Sequence, residues 1–427
     1  MKRKQLDYLI EWKNAKEKCP LFITGAKGVG KTYLVLEFIK DFFRNRIYMN
    51  FEQNPASFHC FEQLDLHQMK EELENDYRIM LTENTVLVLD ELEFNSPLAE
   101  NILNLKSIVP DLSIIFISSH CSILPVTSFL YDSLFIAPID FKEFLEALGY
   151  DWYADIIEEH FVDCKPLPAI LHREFLNLFD KYLVIGGLPA AVNEYIQLET
   201  IANTPEQHQR IDFYYQNYAQ SRLSEGDYLK ARALYNSIPL QLSKKNKKFQ
   251  YSLVRRGTTH SLYEAQVDFL VNHNLLLKAN PLPQYDFEDQ HNNRFKLYQS
   301  DVGMLLSKAT KDLNYYSVES KKEFSIGLLE NYIAGCLFQN GFPLFFWESD
   351  SRAKIDFVLS KEEKYIPIEV FADKNTRSRN VFEFSKEFPI EYQMKISMKN
   401  FSKEFSSNKK VKYIPLYATY CITKYNI

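Results

Sequence analysis

At 427 residues the chain exceeds what one hydrophobic core organises, so two to four domains are expected. With 46% hydrophobic and 25% charged residues it has the make-up of a globular protein, and a net charge of −6 argues against a chain built as a whole for nucleic acid or a membrane surface. No apolar run approaches the ~18 residues of a spanning helix, so no membrane partner is expected.

The six cysteines (19, 60, 121, 164, 336 and 421) form no CxxC pair and no metal-ligand spacing. Scattered single cysteines suit a reducing compartment, and a cytoplasmic protein is expected. His59 beside Cys60, with His67 later, comes nearest to a metal cluster, but no metal is expected there. The first eighteen residues are basic yet lack the uninterrupted apolar stretch of a signal peptide. They read instead as an amphipathic helix with Leu6, Leu9, Ile10 and Trp12 at its apolar positions.

Residues 21–24, LFIT, form a short buried strand. GAKGVGKT follows at 25–32, and Leu34, Val35, Phe38, Ile39 and Phe42 then recur at helical spacing. Strand, GxxxxGK[ST] and helix make a phosphate-binding loop in its required context. Glycines at 25, 28 and 30 let successive N–H groups converge on phosphate oxygens. The nucleotide-binding residues are then Gly25, Ala26, Lys27, Gly28, Val29, Gly30, Lys31 and Thr32. Lys31 reaches the β- and γ-phosphates and the Thr32 hydroxyl ligates Mg²⁺, which makes ATP and Mg²⁺ the expected cofactors.

A second strand is expected over 46–52 (RIYMNFE), then an acidic helical segment over 62–80. The run TVLVLDE at 85–91 is a strand buried on both faces that ends in two carboxylates. That end is where ligands bind in a parallel α/β sheet. Asp90 would hold Mg²⁺ or its bound water, and Glu91 would act as general base on the attacking water. A fourth strand, 112–119, ends in Ser118 and Ser119. A hydroxyl there either caps the strand or touches the γ-phosphate or attacking water, and Ser119 is placed in the nucleotide site. A fifth strand spans 133–138. Asp140 then caps a helix over 141–149, with Glu143 completing a capping box. Five buried strands alternating with helices give a three-layer parallel α/β core over residues 1–150.

Residues 151–224 read as helical. In YLVIGGLPAAV (182–192), two glycines break a helix and Pro189 opens the next, which an ordinary helix junction explains alone. Residues 225–310 suggest a winged-helix domain, with helices at 228–242, 247–254 and 261–271 and strands at 275–278 and 294–298. The run 244–256 carries six basic residues and no acid, as phosphate contact would require. The third helix carries Glu264 and Asp268 and no Lys or Arg, so duplex phosphates would repel it. A structural or protein-contacting role is favoured over DNA reading.

Residues 318–427 return to α/β. A helix over 324–338 contains Glu330, and strands are expected at 344–347, 354–359, 365–371 and 413–420. Asp356 in KIDFVL and Glu369 in IPIEVF resemble the Asp, loop, Glu-x-Lys pattern with which restriction-type nucleases hold Mg²⁺ and activate water. Phe371 stands in the lysine's place, and Lys374 lies three residues on. Glu330, Asp356 and Glu369 therefore read as a degenerate nuclease site.

As an ordered set, PLFITGAKGVGKTYLVLEF, YMNFE, VLVLDELE, FKEFLEALG, YLVIGGLP, SIPLQLSKKNKKFQYS, FKLYQSDVGML, ENYIAG and KIDFVL–IPIEV resemble a family of bacterial and archaeal AAA-type P-loop ATPases with a C-terminal domain of unknown function. The resemblance covers nearly the whole chain. It implies an ATPase core, a helical lid, a winged helix and a restriction-endonuclease-like fold over 318–427. It also implies that Gly187–Leu188–Pro189 is similar to the Gly-x-Pro turn of signal-transduction ATPases, whose proline contacts adenine in nucleotide-controlled switches. Family members carry a Gly-Arg pair just before the fifth strand, where this chain has Tyr131, Asp132 and Ser133. Slow hydrolysis, or an arginine supplied by a partner protein or another subunit, is the expected consequence. An ATP-gated nuclease and a DNA-binding module are the alternatives.

Overall fold

The computed structural model describes residues 2–54, 61, 65–92, 97–120, 130–283, 294–310, 318–349, 353–406 and 409–427. His59 and Cys60 lie outside them. The chain divides into two units: Met1–Ala137 with Asn272–Asn274, and Pro138–Val271 with Leu275–Ile427. No helix among the described residues is long and apolar enough to cross a membrane.

The first unit is built on β1 (Leu21–Thr24), β2 (Asn45–Asn50), β3 (Thr85–Asp90), β4 (Ser113–Ser118) and β5 (Asp132–Phe135). All pair in parallel, in the order β2-β3-β4-β1-β5. Residues of alternate parity leave opposite faces of a strand. Phe22, Ile47, Met49, Leu87, Leu89, Ile114 and Phe116 share one cluster with Met69 and Leu73 of the helix Leu66–Tyr77 and with Ile102 and Leu103 of the helix Pro97–Asn104. Phe22 and Phe116 stack there at 4.5 Å. Ile23, Val86, Val88, Ile115 and Ile117 have the other parity and are equally buried. Leu34, Val35, Phe38 and Ile39 of the helix Lys31–Phe42 are buried outside that cluster, which puts this helix on the second face. The expectation of five buried strands is corrected at the edges. β3 and β4 are buried throughout, whereas β5 is half-buried and β2 is mixed, because each pairs on one side only.

The second unit opens with helices, and its first cap is as expected. Asp140 Oδ1 accepts the Glu143 N–H at 2.9 Å and Glu143 Oε2 accepts the Asp140 N–H at 3.3 Å, at the start of the helix Phe141–Ala147. Both carboxylates are buried. Asp140→Ala is expected to destabilise this unit by about 1 kcal/mol or more, read as a lower urea midpoint at unchanged slope.

Helices Glu225–Leu242, Tyr251–Val254 and Glu264–Asn272 precede an antiparallel pair, β6 (Leu276–Pro281) and β7 (Lys296–Gln299). This pair is not an isolated wing. The far end of β6 pairs in parallel with β8 (Phe345–Glu348), which pairs with β9 (Lys354–Ile355), so four strands form one sheet. A second sheet orders β10 (Phe357–Lys361), β11 (Lys364–Val370), β12 (Gln393–Ser397), β13 (Ser402–Ser406) and β14 (Lys409–Pro415) as β10-β11-β12-β14-β13.

Four sequence expectations change here. The strand at 354–359 is two strands in two sheets, broken at Asp356, whose Oδ2 accepts the Val370 N–H at 2.9 Å. The strand at 413–420 is the end of β14 followed by a 3-10 turn, Leu416–Cys421, because a short apolar run has no period that separates the two. The helix at 247–254 shortens to Tyr251–Val254, since Lys247 turns inward. The helix at 261–271 is a 3-10 turn, His260–Leu262, and then the helix Glu264–Asn272. β12 and β13 were not anticipated. The side chains of β13 are all exposed, so it has no apolar alternation to read.

Candidate functional site

The phosphate loop joins β1 to the helix Lys31–Phe42. Gly25 has φ of 147°, and a Cβ there would lie 2.1 Å from the Ile136 carbonyl oxygen, so only glycine fits. Gly30, with φ of 92°, is the N-cap of the helix, and no side chain caps it among the described residues. The first helical N–H groups are thereby left for an anion. Behind the loop, the buried Arg3 guanidinium donates to Val29 O at 2.8 Å and Ala137 O at 2.7 Å. These two bonds tie the loop to the exit of β5. The sequence carried no signal for this role, since Arg3 sits in an ordinary basic N-terminus.

Lys31 Nζ donates to Gly25 O at 2.9 Å, Ala26 O at 3.0 Å and Ser119 Oγ at 3.0 Å. These acceptors are neutral. Charged phosphate oxygens make shorter and stronger bonds to an ammonium and would displace them.

β3 lies beside β2 and β4, so its end meets theirs. Asp90 Oδ2 accepts from Thr32 Oγ1 at 2.8 Å, Tyr48 OH at 2.8 Å and Asn50 Nδ2 at 3.3 Å. Its other oxygen, Oδ1, is buried and has no hydrogen-bond partner among the described residues. Burial pushes the Asp90 carboxyl above its ordinary range and the Glu91 charge adds to this, while Thr32, Tyr48 and Lys31 oppose it. A divalent cation would reverse that balance. A buried carboxylate oxygen without a partner, beside the Thr32 hydroxyl, fits Mg²⁺ held by these two side chains. Burial likewise pushes the Tyr48 phenol up, so it stays a donor. Tyr48 and Asn50 were missed as site residues, although both stand in YMNFE at the alternate spacing that turns them to one face.

Glu91 follows β3 with φ of 55°, a left-handed conformation that costs a non-glycine residue ~1–3 kcal/mol. Its N–H donates to Ile117 O at 2.8 Å, which fixes it against β4. Ser119 Oγ donates to Glu91 Oε1 at 2.8 Å, so one hydroxyl links Glu91 to Lys31. Ser118 instead accepts the His120 N–H at 3.0 Å and caps the strand end. Lys27 is buried, forms an ion pair with Glu52 and lies 3.7 Å from Glu91 Oε1. Residues 25–32, Asp90, Glu91 and Ser119 thus converge within the first unit.

Pro189 belongs to the second unit, where it is the first residue of the helix Pro189–Leu198. The preceding turn is a packed joint. Asp301 Oδ2 accepts the Gly187 N–H at 2.6 Å, and Gly187 O accepts the Ile139 N–H at 2.7 Å. A Cβ on Gly186 would lie 2.4 Å from Asp301 Oδ1, and one on Gly303 2.6 Å from the Gly186 nitrogen. YLVIGGLP and QSDVGML are therefore two halves of one contact.

The three C-terminal acids do not gather into a ligand set. Glu330 is fully buried, 3.1 Å from Lys247 Nζ and 3.8 Å from Lys296 Nζ, and accepts from Tyr298 OH at 3.2 Å. Asp356 accepts from the Val370 backbone and lies 3.9 Å from Lys354. Glu369 accepts from Ser378, Asn380 and Gln393 and lies 3.8 Å from Lys395. Burial raises the carboxyls of Asp356 and Glu369, with the Glu330 charge adding to Asp356 and the Asp356 charge to Glu369. Among the described residues no group of three or more His, Cys, Asp and Glu is placed to hold a metal. Lys374, offered as a substitute for the missing lysine, is exposed on the loop after β11, whereas the lysine beside Glu369 is Lys395. Two of the six cations of the basic run 244–256 are engaged within the protein. Lys247 pairs inward with Glu330, and Lys248 pairs with Glu348 at 2.6 Å.

Residues 17–145 match the family model described as AAA domain. Residues 176–314 and 327–418 match two domains of unknown function, DUF8612 and DUF4143. No curated protein matches the chain. Solved structures with some likeness include the Walker-type ATPase PABY2304 of Pyrococcus abyssi, with a TM-score of 0.43 and 14% identity over 72% of this chain and 95% of that one. They also include the Aeropyrum pernix ORC1 protein in complex with DNA (0.33, 12%, over 72% and 92%) and the Thermotoga maritima RuvB Holliday junction branch migration motor (0.30, 15%, over 74% and 94%). These scores are below 0.5 and carry no statement about this chain. The AAA-domain match and the loop geometry agree over residues 17–145, which are similar to an AAA-type P-loop ATPase.

Proposed function

We propose that the chain binds ATP with Mg²⁺, hydrolyses it slowly, and uses the bound nucleotide as a switch acting on its second unit. One observation carries this: Asp90 keeps a buried, unpartnered oxygen next to Thr32 Oγ1, at the mouth of a phosphate loop that ends in Lys31. Lys31 exchanges its carbonyl partners for the β- and γ-phosphates. Thr32 and Asp90 would hold the cation, which would supply charge neutralisation at the phosphates. Glu91 takes the proton as water attacks the γ-phosphorus and the bond to ADP breaks.

The expectation of slow turnover rests on a missing charge. An arginine near the γ-phosphate contributes about 10³–10⁵ in rate. Tyr131 precedes β5 and packs edge-on to Phe22 at 5.3 Å, and Asp132 opens the strand. Of the four arginines in the first unit (3, 44, 46 and 78), Arg3 donates to two carbonyls and Arg46 donates to Lys40 O at 3.1 Å. Lys27, the cation beside Glu91, is already paired with Glu52. An arginine from a partner protein or another copy would raise the rate.

The expected result is ATP binding with steady-state turnover well below the ~10 s⁻¹ typical of enzymes, together with solution-scattering profiles that differ between ATP and ADP. Identical profiles with ATP, ADP and no nucleotide would remove the switch. Turnover at ordinary rates by the isolated chain would remove the need for a partner. A nuclease is not favoured, because Phe371 stands in the place of the lysine and Glu369 is engaged by Ser378, Asn380 and Gln393.

A further inference from the structure

The second unit contains a cavity of about 1040 Å³ lined by five cationic side chains, Lys374, Arg377, Arg379, Lys395 and Lys399, and by no carboxylate. We infer that it binds a small, multiply phosphorylated molecule, separately from the nucleotide of the phosphate loop.

The cavity is organised around Thr376, which lies in the loop between β11 and the short helix Asn380–Phe384. Lys395 reaches it from β12 and donates to Thr376 O at 2.6 Å; Lys399, just past β12, donates to Thr376 Oγ1 at 3.0 Å. Lys395 is only 6% exposed and lies 3.8 Å from the Glu369 carboxylate. Lys374, Arg377 and Arg379 are exposed, and no carboxylate pairs with them among the described residues. Glu369 is further occupied by Ser378, Asn380 and Gln393. Glu404 takes the Tyr413 hydroxyl at 3.1 Å, and Asp373 takes the Asn375 N–H at 2.7 Å. Glu369 pairs with Lys395, whereas Lys374, Arg377 and Arg379 line the cavity without a carboxylate partner among the described residues.

Converging like charges repel one another unless an anion joins them. A carboxylate metabolite brings one to three charges, fewer than the five cations. A phosphate chain brings several, with acceptor oxygens for the two guanidinium forks. The volume is at the upper end for small-molecule clefts. A nucleic-acid track spreads its cations along a groove and interleaves stacking aromatics. Here the cations close on one cavity whose single aromatic, Tyr413, is covered by Lys399 at 5.0 Å.

The test uses the full chain carrying Lys31→Ala, so that the phosphate loop does not take up the probe, and inorganic tripolyphosphate in isothermal titration. Binding is expected, with affinity falling at least about tenfold when Arg377→Gln and Arg379→Gln are added, since each removes a charge-assisted contact. Both arginines are exposed, so the melting temperature should not move. No binding by the Lys31→Ala chain, or equal affinity with and without the arginines, overturns the assignment. So does a short single-stranded oligonucleotide that binds more than about tenfold more tightly than tripolyphosphate and is lost in the same variant, because the ligand would then be nucleic acid.

Discussion

Lys31→Ala is expected to abolish ATP turnover and to weaken ATP binding strongly, whereas Glu91→Gln keeps ATP bound and turns it over at least about a hundredfold more slowly. The two outcomes differ because the two side chains do different work. Lys31 spans the loop and now satisfies three neutral oxygens, two of them loop carbonyls. Removing it takes a full charge from the place where β- and γ-phosphates sit, and the bound state loses more than the free one. Glu91 lies past the end of β3, reached by the Ser119 hydroxyl and 3.7 Å from Lys27. The amide has the same shape and a similar hydrogen bond but takes no proton. Equilibrium binding of a fluorescent ATP analogue and steady-state phosphate release separate the cases. If Glu91→Gln turns over ATP at the wild-type rate, the base is another group. If Lys31→Ala binds as tightly as wild type, the loop is not the nucleotide site.

How much of this was legible follows from how local each feature is. The loop could be read because strand, glycines, Lys31 and helix are contiguous. Asp90 and Glu91 could be read because a doubly buried strand leaves an uninterrupted apolar run before them. Ser119 was placed in the site ahead of Ser118, and alternation gives the reason, since it sends adjacent hydroxyls to opposite sides. Arg3, Tyr48 and Asn50 were not legible as site residues. Arg3 acts through two carbonyls on the far side of the sheet sequence, and the other two act through a strand pairing that no local pattern announces. In the second unit the limit was stronger. Lys247 looked like part of a basic surface because its partner, Glu330, comes from another helix. Lys395 had no motif at all, and it became visible only when β12 was set beside β11.

Glu330→Gln should be among the most destabilising single substitutions in the second unit, by about 3–5 kcal/mol at neutral pH. Glu330 is fully buried, with Lys247 and Lys296 beside it, each 3% exposed. Burial alone would raise its carboxyl. Lys247, Lys296 and Lys354 outweigh this and hold it down at about 2. The amide leaves two buried ammonium groups facing a neutral side chain, with Glu323, 3.6 Å from Lys247, and the Asp356 charge near Lys296 as partial compensation. The sign of the pH dependence follows from the depressed value. An unfolded glutamate titrates near ~4.3, so the stabilisation is complete above that pH and is lost as pH falls toward about 2. Wild type and Glu330→Gln should therefore differ most near neutrality and converge in acid. Urea unfolding of both chains across that range reads the difference directly, and other titrating carboxylates cancel between them. A gap that stays constant from neutral pH to the acid end would mean that Glu330 acts through packing and not through its charge. Adding Lys247→Met to Glu330→Gln should recover part of the loss, because the uncompensated ammonium goes with it and an apolar side chain of similar length fills its place.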